Sequence, residues 1–161
     1  MLHFAPEAAL SHTFRSLTGM TYLSSDLEAD VADTQVDITQ LPFPDSSFDI
    51  IYCSHVLEHV PDDRKAMREI RRVLRPSGWA VLQVPIKGRR TYEDWSITAP
   101  EDRQRVFGQS DHVRFYGNDF SERLTQQGFQ VMEDSFASKL PLRELVQFGI
   151  TPQERIYLCR K

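Results

Sequence analysis

The chain has 161 residues, enough for one domain around a single hydrophobic core. A formal net charge of −4 excludes a bulk electrostatic attraction to nucleic acid or to an anionic membrane, so neither partner is expected. No run approaches the roughly 20 apolar residues of a membrane span, no signal-peptide pattern opens the chain, and Cys53 and Cys159 lack metal-type spacing. The expected location is therefore the reducing cytoplasm.

The first part of the chain alternates short apolar runs with amphipathic segments, a pattern typical of α/β domains with a mostly parallel sheet. Residues 2–4 predict a first strand, and Pro6 suits the first turn of a helix that ends before Gly19. Two further short strands are predicted at residues 21–24 and 36–38.

The middle of the chain carries the clearest elements. The run of residues 48–53 is continuously apolar or β-branched apart from Asp49, which predicts a central strand buried on both faces. An amphipathic helix is expected from Pro61 until the turn at residues 76–78, and residues 79–86 predict another buried strand.

Residues 87–116 are polar, rich in arginine and aromatic side chains, and weakly periodic. Because long connections on α/β folds tend to carry function, we expect this insertion to cover the active site of one domain spanning residues 1–161.

Regular structure is predicted to return after the insertion. Asn118 or Asp119 can cap a helix that ends at Gly128. Two strands at residues 129–136 and 155–159, joined without a clear helix, bring the expected number of strands to seven.

Acidic residues follow two of the predicted strands. Asp26 stands after the second strand, where a carboxylate in nucleotide-binding folds accepts hydrogen bonds from ribose hydroxyls, although turns also favour aspartate. Asp37 could accept a hydrogen bond from an adenine amino group while Ile38 packs on the ring, and the alternative is a proline-rich turn. The segment of residues 53–60 lies at the carboxyl end of the central strand, where open α/β sheets bind ligands.

In order and spacing, five strings resemble the class I S-adenosylmethionine-dependent methyltransferases, most closely the type 11 branch, over about residues 2–86. The strings are Asp26, Asp37-Ile38 with Leu41-Pro42-Phe43, Ser47 to Ile51, Leu57 to Val60, and Leu74 to Trp79. The resemblance implies an α/β, Rossmann-like three-layer sandwich with a seven-stranded, mostly parallel sheet of order 3-2-1-4-5-7-6 and an antiparallel last strand. It also implies in-line methyl transfer from S-adenosyl-L-methionine, giving S-adenosyl-L-homocysteine, to an acceptor expected to be a small molecule.

The resemblance further implies which residues bind the cofactor. Asp26 would hold the ribose, Asp37 and Ile38 the adenine, and Ser54 with its neighbours the methionine part. The glycine-rich turn usual after the first strand is replaced, although small Ala5 still allows close approach and a helix starting at Pro6 offers free N–H groups. The full expected set is Phe4, Ala5, Pro6, Glu7, Asp26, Leu27, Asp37, Ile38, Cys53, Ser54 and His55.

His55, Glu58 and His59 have the spacing of one helix face, which is also that of an inverted zinc-protease motif. Such a protease needs a further acidic ligand downstream, and no candidate is well placed. The main expectation is local hydrogen bonds or cofactor contacts without a metal. The alternative is a divalent-metal cluster, which some methyltransferases carry at a similar position.

A general base helps methyl transfer only if the acceptor is a hydroxyl or a protonated amine, and His55, His59 and His112 are the candidates. Asp111 beside His112 resembles an acid–histidine pair. The other polar side chains of the insertion either bind an anionic or aromatic acceptor or form a solvated network of salt bridges: Arg89, Arg90, Tyr92, Glu93, Asp94, Trp95, Arg103, Arg114 and Tyr116.

Two other functions compete with methyl transfer. A nucleotide-dependent oxidoreductase would need a G-x-G-x-x-G loop, which the chain lacks. A degenerate methyltransferase-like module without catalysis, serving as an interaction domain, fits the missing glycine turn. A homodimer that shields the face near the first strand is also considered.

Overall fold

Nine strands form two sheets in the computed structural model, which describes all 161 residues. The large sheet contains β1 (Leu2–Phe4), β2 (Leu23–Asp26), β3 (Thr34–Gln35), β4 (Phe48–Ser54), β5 (Leu74–Gln83), β8 (Gln130–Asp134) and β9 (Ile156–Arg160). The small sheet pairs β6 (Tyr92–Glu93) with β7 (Arg114–Phe115).

Five α-helices and one 3₁₀ turn connect the strands. They are α1 (Ala8–Ser16), α2 (Asp63–Val73), α3 (Pro100–Phe107), α4 (Phe120–Gln126) and α5 (Leu142–Phe148), with the 3₁₀ turn at Phe136–Lys139. None of these helices has the length and apolar character that crossing a membrane requires.

The large sheet has the order β3-β2-β1-β4-β5-β9-β8. Strands β1 to β5 pair in parallel, whereas β9 runs antiparallel to both β5 and β8. With β8 and β9 as the sixth and seventh strands of this sheet, the arrangement is the predicted order 3-2-1-4-5-7-6 with an antiparallel last strand. The predicted fold class is therefore confirmed.

One face of the sheet carries the main hydrophobic core of 23 buried residues. Leu2, Phe4, Ile51 and Cys53 point to this face, because alternate side chains of a strand share a face. Helix α2 covers it with apolar side chains at helical spacing, namely Ala66, Met67, Ile70 and Val73.

The opposite face is covered more thinly. Helix α1 has no buried residue, and it meets the sheet through a cluster of aromatic rings. His3 lies at the centre of this cluster, with ring centroids 5.0 Å from Tyr52, 5.5 Å from Phe14 and 5.9 Å from Tyr22.

Several predicted element boundaries were wrong. The first helix begins at Ala8 rather than at Pro6, because Glu7 is extended (φ −67°, ψ 132°) and serves as the N-cap. The second strand lies two residues later than predicted and the third two residues earlier. The turn at residues 76–78 lies inside β5, where a Cβ on Gly78 would be 2.7 Å from the Asp49 carbonyl oxygen.

The second half contains more structure than predicted. The insertion of residues 87–116 holds α3 and the β6–β7 sheet, so it is not a plain loop. Helix α5 connects β8 to β9, where no clear helix was expected, because its exposed Leu142, Val146 and Phe148 break the amphipathic pattern. Asp119 stands at the N-cap of α4, but its carboxylate accepts hydrogen bonds from Thr91 instead of capping the helix.

Candidate functional site

The carboxyl ends of β1, β2 and β4 meet at one edge of the sheet. Phe4 of β1 pairs with Ser25 of β2 and with Cys53 of β4. The next residues along these strands are the predicted cofactor contacts Ala5, Asp26 and Ser54, and the parallel register therefore places them at the same edge.

The turn after β1 has a left-handed backbone at its first residue. Ala5 has φ 47°, and its N–H donates to the Ser25 carbonyl at 2.9 Å. Glu7 secures the other end of the turn, because its Oε2 lies 2.8 Å from Nε2 of the fully buried His3. His3 in turn is 2.8 Å from the Tyr22 hydroxyl through Nδ1. The turn thus keeps a glycine-like conformation without glycine.

The predicted adenosine contacts lie at the ends of β2 and β3. Asp26 is half-buried, and its Oδ1 accepts a hydrogen bond from the Glu28 N–H at 2.9 Å, while the adjacent Leu27 is 68% exposed. Asp37 is exposed, and its Oδ1 accepts from the Thr39 N–H and hydroxyl, both at 2.8 Å. Both carboxylates therefore order their own turns while remaining accessible to solvent.

Three residues of the predicted cofactor-binding set have side chains that lie in the hydrophobic core rather than at the surface of the site. Phe4, Ile38 and Cys53 are all buried within the main hydrophobic cluster. Burial also raises the pKa of the Cys53 thiol well above its ordinary value. At these positions the side chains lie mostly in the core, and the expectation that Ile38 packs on an adenine ring stays a prediction.

The loop that follows β3 is anchored to α2 by an ion pair. Glu69 accepts hydrogen bonds from the Leu41 N–H at 2.9 Å and from Arg72, whose guanidinium also donates to the carbonyls of Leu41 and Phe43. The Arg72 guanidinium is the main cause that holds the pKa of Glu69 below its ordinary value. This pair fixes the Leu-Pro-Phe turn that the sequence singled out.

His55 directly follows β4 with a left-handed backbone of φ 54°, and its side chain is 60% exposed. It lines an open cleft of about 610 Å³ beyond the ends of β4 and β5, together with Gln83, Arg89 and Tyr157. A second cleft of about 360 Å³ adjoins it and is more apolar. Of the three predicted base candidates, His55 is therefore the one that faces open space.

The other two base candidates belong to a cluster with Glu58. The rings of His59 and His112 meet edge to face at 4.6 Å, and His112 is only 5% exposed. Burial raises the pKa of Glu58, and burial followed by the nearby His59 lowers the pKa of His112, so both shifts favour uncharged side chains. His112, not His55, completes the group of potential metal ligands.

A buried ion network beneath this segment was missed by sequence reasoning. Arg114 is fully buried, and it donates to the carbonyls of Leu57 and Pro61 at 2.8 Å and to that of Val60. It also contacts Glu93 at 3.3 Å. Since Arg114 holds the chain after β4, it is a structural residue and not the acceptor ligand that was considered.

The same network continues to α2 and α4. Asp63, at the start of α2, accepts two hydrogen bonds of 2.7 Å from Arg123 and one of 2.6 Å from the Tyr116 hydroxyl. Tyr116 is fully buried, so it too is unavailable to an acceptor. Only the arginine content of the insertion could have indicated this network from the sequence. Arg114 and Tyr116 bind Leu57 and Asp63, which lie more than fifty residues away along the chain.

Comparison with known proteins gives concordant matches. Residues 6–82 match the family described as the methyltransferase domain. The uncharacterised methyltransferase YcgJ of Bacillus subtilis is 58% identical over 42 residues, which are 26% of this chain and 17% of YcgJ. The ubiquinone biosynthesis O-methyltransferase of Vibrio campbellii is 26% identical over 111 residues, which are 68% of this chain and 43% of that protein. The chain thus spans less than half the length of either relative.

A solved structure supports the fold over nearly the whole chain. The S-adenosylmethionine-dependent methyltransferase from Mesorhizobium loti superposes with a TM-score of 0.67 at 17% identity, covering 99% of this chain and 89% of that one. The predicted resemblance is confirmed. Residues 6–82 match the family described as the methyltransferase domain, and the chain as a whole has the fold of the Mesorhizobium loti S-adenosylmethionine-dependent methyltransferase.

Proposed function

We propose that this chain binds S-adenosylmethionine and transfers its methyl group to a small-molecule acceptor. The observation that carries the proposal is the common edge of β1, β2 and β4, where Ala5, Asp26 and Ser54 lie side by side. Asp26 and Ser54 fall within residues 6–82, which match the methyltransferase domain, and Ala5 directly precedes that region. Ligands of open α/β sheets bind beyond this edge.

The residues at this edge suit the chemical groups of the cofactor. Asp26 would accept hydrogen bonds from the ribose hydroxyls, and Asp37 one from the adenine amino group. The left-handed turn at Ala5 brings backbone close to the edge, and α1 begins at Ala8 without a side-chain cap, which leaves its first N–H groups for an anionic group such as the methionine carboxylate. When bound, S-adenosylmethionine supplies an electrophilic methyl group on a sulfonium.

The chain's own contribution is then to align the acceptor. The 610 Å³ cleft is in the range of small-molecule sites, and Gly88 and Arg89 at the start of the insertion line it, which supports an insertion that covers the site. His55 lines the same cleft and would take the proton of an acceptor hydroxyl, a contribution of roughly 10²–10⁴-fold. The name of the Vibrio campbellii relative, an O-methyltransferase of ubiquinone biosynthesis, agrees with such an acceptor.

A reducing, cytoplasmic setting belongs to the same proposal. It is supported by two free, buried thiols, Cys53 and Cys159, which an oxidising compartment would not favour.

Calorimetry tests the proposal directly. We expect the wild-type protein to bind S-adenosylmethionine and S-adenosylhomocysteine but not NAD. Asp26→Ala should weaken the binding of both S-adenosylmethionine and S-adenosylhomocysteine by roughly 1–3 kcal/mol, the range for hydrogen bonds to a charged group. Glu101→Gln, which alters an exposed acid at the start of α3, serves as the control and should bind normally.

Two outcomes would contradict the proposal in different ways. Absence of binding to either sulfur ligand would favour the alternative of an interaction module without catalysis, since a fold alone does not establish an activity. Normal affinity in a folded Asp26→Ala protein would show that the ribose lies elsewhere.

A further inference from the structure

Glu58, His59 and His112 bring one carboxylate and two imidazoles together where the insertion meets the chain that follows β4. One potential ligand atom from each residue lies within 4.8 Å of the others. Glu58 and His59 come from the segment after β4, whereas His112 comes from the insertion just before β7. The three side chains therefore converge from two segments that are distant in sequence.

The buried polar atoms of this cluster lack partners. Glu58 is only 1% exposed, and neither of its carboxylate oxygens makes a hydrogen bond. Nδ1 of His55 is 3.3 Å from Oε1 of Glu58, but it is not aligned for a hydrogen bond. Nε2 of the buried His112 is also without a partner. Buried polar atoms without partners are costly, and a cation bound between these residues would give Glu58 and His112 the partners that they lack.

The surroundings also resemble a preorganised ligand sphere. Asp111 contacts Nδ1 of His59 at 3.1 Å through Oδ2, which leaves Nε2 of that ring as the potential ligand. Carboxylates commonly orient metal-binding histidines in this way. The Val113 N–H donates to the Glu58 carbonyl at 3.0 Å, so a backbone hydrogen bond holds the two ligand-bearing segments together.

We infer that Glu58, His59 and His112 form a binding site for one divalent transition-metal ion, with Zn²⁺ as the best match. Two imidazoles with one carboxylate form a donor set that suits Zn²⁺ better than Mg²⁺, which prefers oxygen ligands. Three protein ligands leave one position of a tetrahedral ion open, as in catalytic zinc sites. The inference does not depend on methyl transfer, because the ion would bind to residues other than the proposed cofactor contacts.

The test uses the wild-type protein after treatment with a chelator and its removal. Titration with ZnCl₂ in a calorimeter should show one ion per chain, and CoCl₂ should produce the visible absorption of a four- or five-coordinate site. MgCl₂ should not compete. The midpoint temperature of thermal denaturation should rise when Zn²⁺ is added, because an ion that binds only the folded state stabilises that state. Absence of stoichiometric Zn²⁺ and Co²⁺ binding would overturn the inference.

Variants assign the ligands. Glu58→Gln and His112→Gln should each weaken Zn²⁺ binding by about 100-fold or more, and Asp111→Asn by about 10-fold, within the range measured for the groups that orient ligands. His12→Gln, on the exposed side of α1, is the matched control and should bind like the wild type. His59→Gln replaces any buried variant that does not fold, as judged by circular dichroism. Undiminished Zn²⁺ binding in these folded variants would refute the assignment.

Discussion

Ala5 adopts a backbone conformation that alanine rarely takes. Its φ of 47° lies in the left-handed region, which costs an L-residue roughly 1–2 kcal/mol. The turn persists because its own hydrogen bond to Ser25 and the contact between Glu7 and His3 hold it from both sides. Backbone strain that the surroundings enforce is typical of ligand-binding positions.

A β-branched side chain at this position should be far less tolerated than alanine. Ala5→Val should lower the free energy of unfolding by about 1–3 kcal/mol, because a branched Cβ meets the adjacent carbonyl in the left-handed conformation. Urea denaturation measures the loss. Ala9→Val, at an exposed position of α1, introduces the same group at a helical φ and should cost only about 0.5 kcal/mol. Equal losses in the two proteins would mean that the turn is not strained.

Some expectations depend only on position along a strand. Asp26 and Ser54, expected after the strands predicted at residues 21–24 and 48–53, are the last residues of β2 and β4, and their contacts with a cofactor stay predictions. Side-chain direction was harder to foresee, because a strand alternates faces with each residue and an error of one position exchanges core for solvent. Cys53 shows this, since it lies in the core while the adjacent Tyr52 faces the other side of the sheet, in the ring cluster around His3.

At the scale of elements, the insertion is attached to the domain through Arg114. Its guanidinium satisfies three backbone carbonyls after β4 and contacts Glu93 of β6. The carbonyls belong to Leu57, Val60 and Pro61, so the Leu-Glu-His-Val string owes its shape to an arginine far along the chain. A hydropathy pattern cannot reveal such a contact, because the pattern of a polar segment rich in arginine predicts a solvated loop.

Removing this guanidinium should be strongly destabilising. Arg114→Met keeps most of the volume but removes the guanidinium donor of the Val60 and Pro61 carbonyls, so the free energy of unfolding should fall by about 3–5 kcal/mol. Glu93 keeps its pair with Arg123 in this variant. Arg105→Met removes an exposed pair with Asp102 in α3 and should change stability by less than about 1 kcal/mol. Urea denaturation compares the two proteins with the wild type.

If Arg114→Met does not fold, Arg123→Met tests the same network. The Arg123 side chain is slightly exposed and pairs with the buried Asp63. A loss no larger than that of Arg105→Met in either case would mean that the network does not hold the insertion.

At the scale of the whole molecule, the predictable part is the sheet. Continuous apolar runs predicted β4 and β5, and the resemblance to the class I methyltransferases implied the strand order that the structure shows. The second half was less readable, because α3 and α5 are short helices of eight and seven residues, each with one buried residue. Helices that bury so little leave a weak hydrophobic period in the sequence.

The two faces of the sheet also differ in how much they bury. Helix α2 contributes four buried residues to the main core, whereas α1 contributes none. Local opening of a segment costs less when it exposes little apolar surface. The difference therefore predicts two levels of stability within one cooperative domain.

Hydrogen exchange followed by mass spectrometry measures those levels. Amides of α2, β4 and β5 should exchange only through global unfolding, and their exchange should accelerate with added urea. Amides of α1 and α5 should exchange orders of magnitude faster and should respond little to low urea, because they open locally and expose little surface. Protection of α1 equal to that of α2, with the same dependence on urea, would show that the ring cluster around His3 couples α1 fully to the core.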